Sequence, residues 1–383
     1  LIGDYIMLRK NDVVSGIADL EHLKTYYDVP VFQGCTDEDP STDEFADLEF
    51  AISQGSGMIQ LRQLLSLDKV YHKSHFSGTV GKIWSDHHSQ FCDFVQKYSS
   101  KKILEIGGGH GTLSSHYLKK FPDADWTIID PLTTLPEDST VKVINEFFSD
   151  TTVIDPDVDT ITHSHFLEHV YEPSLFFDHL STLPVGTRMI FSVPYIEKHF
   201  FNFKYVSSIT FEHSYMCSEP YIQYWLKNSG YALIEKQVFG DDHSIFFAAL
   251  KIKTKNDVVK CGMLHQVNEY SLNKIKVDLY FKYYEDLILD LNLMYWDNLY
   301  MFGANPPTQF LLSQGLSINV KCVLDNDVHK QGKRLYGTNL MVQSPEILRN
   351  VVRPVVVLTP GPYALEIKNN ILININKDAI FIG

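Results

Sequence analysis

Ile103-Leu104-Glu105-Ile106-Gly107-Gly108-Gly109-His110-Gly111 is the stretch on which the fold turns. Strand-forming residues carry an acid near the strand's end, glycines recur at 107, 109 and 111, and Thr112-Leu113-Ser114 opens a helical pattern. Glycine adopts turn conformations that a Cβ penalises and lets the backbone approach a ligand closely. A dinucleotide fingerprint, G-x-G-x-x-G, uses its third glycine to pack helix against strand. Thr112 stands at that position here. The alternative is a glycine-rich turn in an ordinary α/β domain.

The next acid strengthens the ligand reading. Ala124-Asp125-Trp126-Thr127-Ile128-Ile129-Asp130 reads as a second buried strand ending in a carboxylate. An acid there, about 20 residues past the glycines, is where a Rossmann-type site holds ribose hydroxyls. Two carboxylates at adjacent strand ends suit a ribose and a cationic ligand better than a 2′-phosphate. The E-x-G-x-G-x-G pattern resembles motif I of the class I S-adenosylmethionine (SAM) methyltransferases. That resemblance implies SAM held by Gly107, Gly109 and Gly111, with Glu105 near its amino-acid end and Asp130 accepting both ribose hydroxyls.

A chain of 383 residues predicts two or three domains. Its hydrophobic content of 44% supplies a sizeable core, and no apolar run reaches the roughly 18 residues that span a bilayer. The net charge of −14 disfavours a nucleic-acid substrate, because phosphate backbones demand basic surface. Membrane binding through a basic helix is likewise unsupported. The N-terminus shows no basic segment with an apolar core and small-residue cleavage site, so a cytoplasmic protein is expected. Cysteines 35, 92, 217, 261 and 322 are scattered without C-x-x-C, which fits reduced thiols rather than a disulfide framework or a complete zinc site.

Three regions follow. Residues 1–65 are acidic and irregular, a small N-terminal domain with short strands at Asp28–Phe32 and Met58–Leu61. Residues 66–255 open with an amphipathic helix (Trp84 to Tyr98). Strands near 102–106, 126–130, 141–144, 159–163 and 187–193 then alternate with helices. Such alternation predicts a doubly wound parallel sheet, closed by an antiparallel pair at Tyr231–Val238 and Ser244–Lys253. Residues 256–383 combine a long helix (Gln266 to Asp290) with a second α/β pattern: a strand at Leu299–Ala304, a proline-started helix at Pro306, and strands at Val320–Asp325 and Val355–Thr359. By spacing alone Gly303 and Asp325 allow a second nucleotide site. The single glycine of Gly303-Ala304-Asn305 favours a Rossmann-like domain on the substrate side.

Taken together, the chain resembles the sugar-nucleotide C-methyltransferases that act on 4-keto deoxysugars. Phe302-Gly303-Ala304-Asn305 and Asp325-Asn326-Asp327-Val328-His329-Lys330-Gln331-Gly332 look like the family's Gly-Ala turn and D-x-x-x-x-K-x-G block. Ser77-Gly78-Thr79, leading to Trp84 and His87, resembles the segment that folds over SAM. Phe211-Glu212-His213-Ser214-Tyr215 resembles its catalytic H-E-H-x-S-Y segment. The departures are specific: Phe211 replaces the first histidine, and H-G-G-S-x-R is reduced to Asp242-His243-Ser244-Ile245. Asp12 and Ser15 stand where a first zinc cysteine pair is expected. Cys35 alone cannot complete a four-ligand structural site, so a metal-free N-terminal lobe is expected.

Methyl transfer from SAM is an in-line displacement at a sulfonium carbon. It needs near-attack positioning and removal of a proton from the nucleophile. The resemblance implies a nucleotide-linked keto-deoxy sugar as substrate, attacked through an enolate. His213 is the first candidate for the base, because imidazole exchanges protons near neutral pH. Glu212 orients it or binds a sugar hydroxyl, and Tyr215 donates to the developing oxyanion. A loop histidine bonded to backbone is the plain alternative for His213. His169, in Leu167-Glu168-His169-Val170, is the second catalytic candidate, and His163 and Ser164 are expected to line the SAM site. Histidines 163, 165 and 169 have metal-ligand character, but a strand-to-helix passage scatters their side chains, so no metal is expected. Phe147 sits where adenine stacks, or packs in the core. Trp84 and His87 cover the methionine end, or are core at helical spacing. Competing functions are O- or N-methylation of a sugar, a non-catalytic binding protein, and a nicotinamide oxidoreductase.

Overall fold

The computed structural model describes residues 6–71, 81–203, 208–260, 269–293, 296–316, 319–359 and 364–382. Ser77-Gly78-Thr79, Cys261 and the expected helix start at Gln266 lie outside them. Lys102–Ile106 forms β1, an interior strand of a seven-stranded sheet. The others are β2 (Asp125–Ile129), β3 (Lys142–Ile144), β4 (Thr160–Ser164), β5 (Arg188–Pro194), β6 (Tyr231–Phe239) and β7 (Ser244–Lys251). Their order is β3-β2-β1-β4-β5-β7-β6. The first five are parallel, and β7 runs antiparallel to both β5 and β6. The α/β fold and the closing antiparallel pair are as expected.

Alternation along β1 sorts its residues between two cores. Ile103 joins Phe91 and Phe94 of α1 (Lys82–Gln96), Tyr117 of α2 (Thr112–Leu118) and Trp126 of β2 on one face. Leu104 and Ile106 join Phe176 of α3 (Pro173–Leu180) and Trp225 of α4 (Glu219–Asn228) on the other. Helices therefore cover both faces, as buried parallel strands require. The chain leaves β1 toward β2 and returns on its other side as β4. The crevice outside the carboxyl ends of β1 and β4 is thus the topological switch point, where open α/β sheets bind ligands.

The N-terminal region is more regular than its composition suggests. Leu20–Pro30, Phe45–Ser53 and Ile59–Leu61 form a three-stranded antiparallel sheet. Within Phe45–Ser53, Ala46, Leu48 and Phe50 are buried while Asp47 and Glu49 alternate with them, so acids on the outer face conceal a strand period. Asp12 closes its turn by accepting from the Ser15 N–H at 2.9 Å and hydroxyl at 2.7 Å.

After α5 (Tyr270–Asn292), a parallel five-stranded sheet contains β8 (Leu299–Phe302), β9 (Val320–Leu324), β10 (Val342–Gln343), β11 (Val355–Leu358) and β12 (Ile380–Ile382). Its order is β10-β9-β8-β11-β12, with α6 (Pro306–Ser313) following β8. At the turn after β8 the Ala304 N–H donates to Asp325 at 2.9 Å, and Lys330 stands 3.5 Å from the same carboxylate. Tyr26, Leu48 and Phe50 of the N-terminal sheet share one apolar cluster with Val277 and Tyr284 of α5, Phe310 of α6 and Val357 of β11. Arg334 forks onto both oxygens of buried Asp43, at 2.6 and 2.8 Å. Among the described residues, no helix is long and apolar enough to cross a membrane.

Candidate active site

The glycine turn after β1 needs all three of its alternate glycines in left-handed conformations, with φ of +70°, +52° and +68° at 107, 109 and 111. A Cβ on Gly107 would lie 2.9 Å from Phe166, and one on Gly111 would lie 2.5 Å from Leu135. One on Gly109 would meet nothing within 4 Å, so this part of the loop faces open space. Asp130 anchors the loop: Oδ2 accepts from the Gly109 N–H at 3.1 Å and Oδ1 from the Leu132 N–H at 2.8 Å. Each oxygen keeps a further lone pair for a ligand hydroxyl.

Glu105 stands elsewhere than expected. Strand alternation puts it on the Ile103 face, where Trp126 donates its indole N–H at 2.9 Å. Burial pushes this carboxyl up to about 8. It supports the loop from beneath and does not reach toward the expected methionine end. Phe147, after β3, is half exposed and lines a hollow of about 360 Å³ together with Ile144 and Glu146.

The histidines around β4 divide by the same alternation. His163 shares the Ile161 face and is fully buried, stacked on Phe191 at 4.8 Å with neither ring nitrogen hydrogen-bonded. Burial lowers its imidazole to about 3. It belongs to the core and not to a cofactor surface, which corrects the expectation. Ser164 remains half-buried. His87 is also interior: it shares a hydrogen bond with Ser192 at 2.9 Å, and burial holds it well below its usual value. The half-buried Trp84 packs its ring against His87, His165 and His243, with centroids 5.1, 5.0 and 4.9 Å away. His165 and His243 both contact the Ser244 hydroxyl, at 2.9 and 2.6 Å. The sequence reading named Trp84 and His87 together but did not join them to His165 and His243.

A second group converges beside the turn Leu167–His169. The His169 ring meets His213 edge-on at 5.0 Å, and its Nδ1 lies 2.6 Å from the Tyr71 hydroxyl and 3.9 Å from Glu212. Burial, then His169, lowers His213 to about 4. Burial opposes ionisation of Glu168, but His165, His169 and His213 outweigh it and hold the carboxyl down at about 2. The candidates His169, Glu212 and His213 are thus brought together. Tyr215 is not among them: it is 1% exposed and donates to the Leu167 carbonyl at 2.5 Å. The cause is long-range pairing, since Leu61 donates to Ser214 and Met216 to Ile59, at 2.9 and 2.8 Å. That pairing turns Tyr215 inward while setting Glu212 and His213 at the crevice. Tyr71, outside every motif, was missed.

Residues 83–236 match the family model described as a methyltransferase domain. The chain carries a methyltransferase domain. Similar solved structures include human N-acetylserotonin methyltransferase in complex with SAM, at 12% identity and TM-score 0.36, covering 45% of this chain and 53% of that one. Another is magnesium protoporphyrin IX methyltransferase from Synechocystis with bound S-adenosylhomocysteine (14%, TM-score 0.35, 44% and 84% covered). A third is a SAM-dependent methyltransferase from Aquifex aeolicus (16%, TM-score 0.34, 42% and 88% covered). The chain spans about half the length of the first of these. No curated protein matches the chain.

Two measurements probe the methyltransferase domain's loop. Gly109→Ala is expected to weaken SAM binding at least about tenfold while costing only about 1 kcal/mol of stability, the usual penalty for a left-handed alanine. Gly111→Ala should cost more stability, because its Cβ collides with Leu135. Calorimetry and thermal melts together check this; a Gly109→Ala protein that binds SAM normally would place the cofactor elsewhere.

Glu105 makes a pH prediction. Its folded carboxyl keeps a proton to about pH 8, against a reference value of 4.5. Between those values the unfolded chain binds fewer protons, so stability from this group is full below about 4.5 and lost as pH rises to about 8. In Glu105→Gln the loss should vanish, so its urea midpoint should gain on the wild type from pH 5 to 8. A constant difference across that range would contradict the buried, protonated carboxyl.

Proposed function

We propose that the protein transfers a methyl group from SAM to a nucleotide-linked keto-deoxy sugar, at the carbon beside the carbonyl. The observation that carries this is the placement of His169, Glu212 and His213 at the same sheet end as the glycine turn and Asp130. In this reading Asp130 takes the ribose hydroxyls, Phe147 meets the adenine, and His213 accepts the proton from the sugar carbon. Tyr71 supplies the oxyanion donor that buried Tyr215 cannot. Burial keeps its phenol protonated, so it can donate throughout the physiological range.

O- or N-methylation of a sugar is the second reading. Phe211 favours it, because a fully buried phenyl ring replaces the first imidazole of the family's H-E-H segment. A panel of nucleotide sugars incubated with methyl-labelled SAM, followed by NMR location of the label, separates the two. Carbon methylation further requires deuterium exchange at the acidic C–H when demethylated SAM replaces SAM. Label on oxygen or nitrogen without exchange would reject the carbon reading.

A further inference from the structure

Glu168 is 2% exposed, and neither carboxylate oxygen has a hydrogen-bond partner. His165 Nδ1 stands 3.2 Å from Oε1, and His169 Nε2 stands 3.9 Å away. A buried carboxylate without donors is costly unless a cation compensates it. Glu168, His169 and His213 each offer one ligand atom, and these atoms lie within 4.8 Å of one another. We infer that Glu168, His169 and His213 bind one divalent transition-metal cation.

The donor set is two imidazoles and a carboxylate, which suits zinc, manganese, iron or cobalt better than calcium or magnesium. Bond lengths of about 2.0–2.2 Å require the three atoms to draw closer than the 4.8 Å they now span. The surroundings match a supported ligand set. The Nδ1 of His169 is already engaged with Tyr71 at 2.6 Å, leaving Nε2 toward Glu168. Holding the second nitrogen in this way is what orients a ligating imidazole. His165, fixed by Ser244 at 2.9 Å, borders the carboxylate from the other side. Three protein ligands leave a position for an oxygen of the acceptor, a hydroxyl or a carbonyl, which the cation would polarise. The spacing of histidines 163, 165 and 169 conceals the set, because only His169 belongs to it and His213 comes from a distant segment.

The site deepens the methyl-transfer reading but does not need it to be detected. It also changes what His213 does. A ligating His213 cannot be the base, and the acceptor's proton would then pass to Glu212. The inference is tested by calorimetric titration of the chelator-treated, dialysed full chain with Zn²⁺ alone. Cobalt substitution, read by visible absorption, reports the ligand field. One site per chain is expected, weakened at least about tenfold in Glu168→Gln, His169→Ala and His213→Ala alike. Should Glu168→Gln fail to fold, the half-buried His213 supplies the decisive variant. Absence of a stoichiometric site, or a site indifferent to His169→Ala and His213→Ala, would overturn the inference. Metal binding without methylation of any nucleotide sugar would support the site and sink the substrate reading. Full turnover by metal-free protein would remove the cation from catalysis and return His213 to the role of base.

Discussion

His213→Ala is expected to lower turnover by about 10²–10⁴-fold, the usual cost of removing a positioned proton acceptor and no less if the ring instead holds a cation that polarises the acceptor, while SAM affinity stays within about twofold. The asymmetry follows from position. His213 lies against His169, on the acceptor side of the crevice, whereas the loop contacts that shape the cofactor site run between Gly109, Asp130 and Leu132. Single-turnover rates with the labelled nucleotide sugar identified by NMR, beside calorimetry with SAM, give both numbers. A wild-type rate would move the proton acceptor to His169 or Glu212. A parallel collapse of SAM binding would show that the variant disturbs the crevice as a whole.

Asp130→Ala should weaken SAM by roughly 10²–10⁴-fold. Two ribose hydroxyls lose a charged acceptor, each bond being worth about 1.5–3 kcal/mol. The loop also loses its tie, since the Gly109 and Leu132 N–H groups both donate to this carboxylate. Asp130→Asn keeps one acceptor oxygen and should fall between. NAD should bind neither wild type nor variant. Unchanged SAM affinity in Asp130→Ala, with the melting transition intact, would remove Asp130 from the site.

The central sheet was legible because parallel strands buried on both faces are short apolar runs, and here their ends are marked by Gly107 and Asp130. The second sheet showed the same signature at Leu299–Phe302, Val320–Leu324 and Val355–Leu358. Facing was harder. Residue type alone does not say which side of a strand Glu105 or His163 occupies; the buried neighbours Ile103 and Ile161 do. Tyr215 was misjudged for another reason: its direction is set by pairing with Gln60, which no local pattern records. Tyr71 carries no motif and joins the site only through the fold. The N-terminal sheet was hidden because Asp47 and Glu49 occupy its outward positions, making a strand look like an acidic tract.

The apolar cluster uniting Leu48 and Phe50 with Phe310 and Val357 has a consequence for biosynthesis. A ribosome delivers residues in order, at about 5–20 per second. The N-terminal sheet meets Phe211 and Met216 earlier, but it waits some 300 residues, roughly 15–60 s at that pace, for Phe310 and Val357 to complete its cover. Throughout that interval the methyltransferase domain can close on its own local strands while part of the sheet's apolar face stays uncovered. Such a chain should lean on chaperones during synthesis. Stalled nascent chains ending near residue 295, long enough for β7 to clear the ribosome, should be cleaved by protease within residues 20–53 while the segment from β1 to β7 resists. Equal protection of both segments at that length would mean that the sheet finds cover earlier than its core allows.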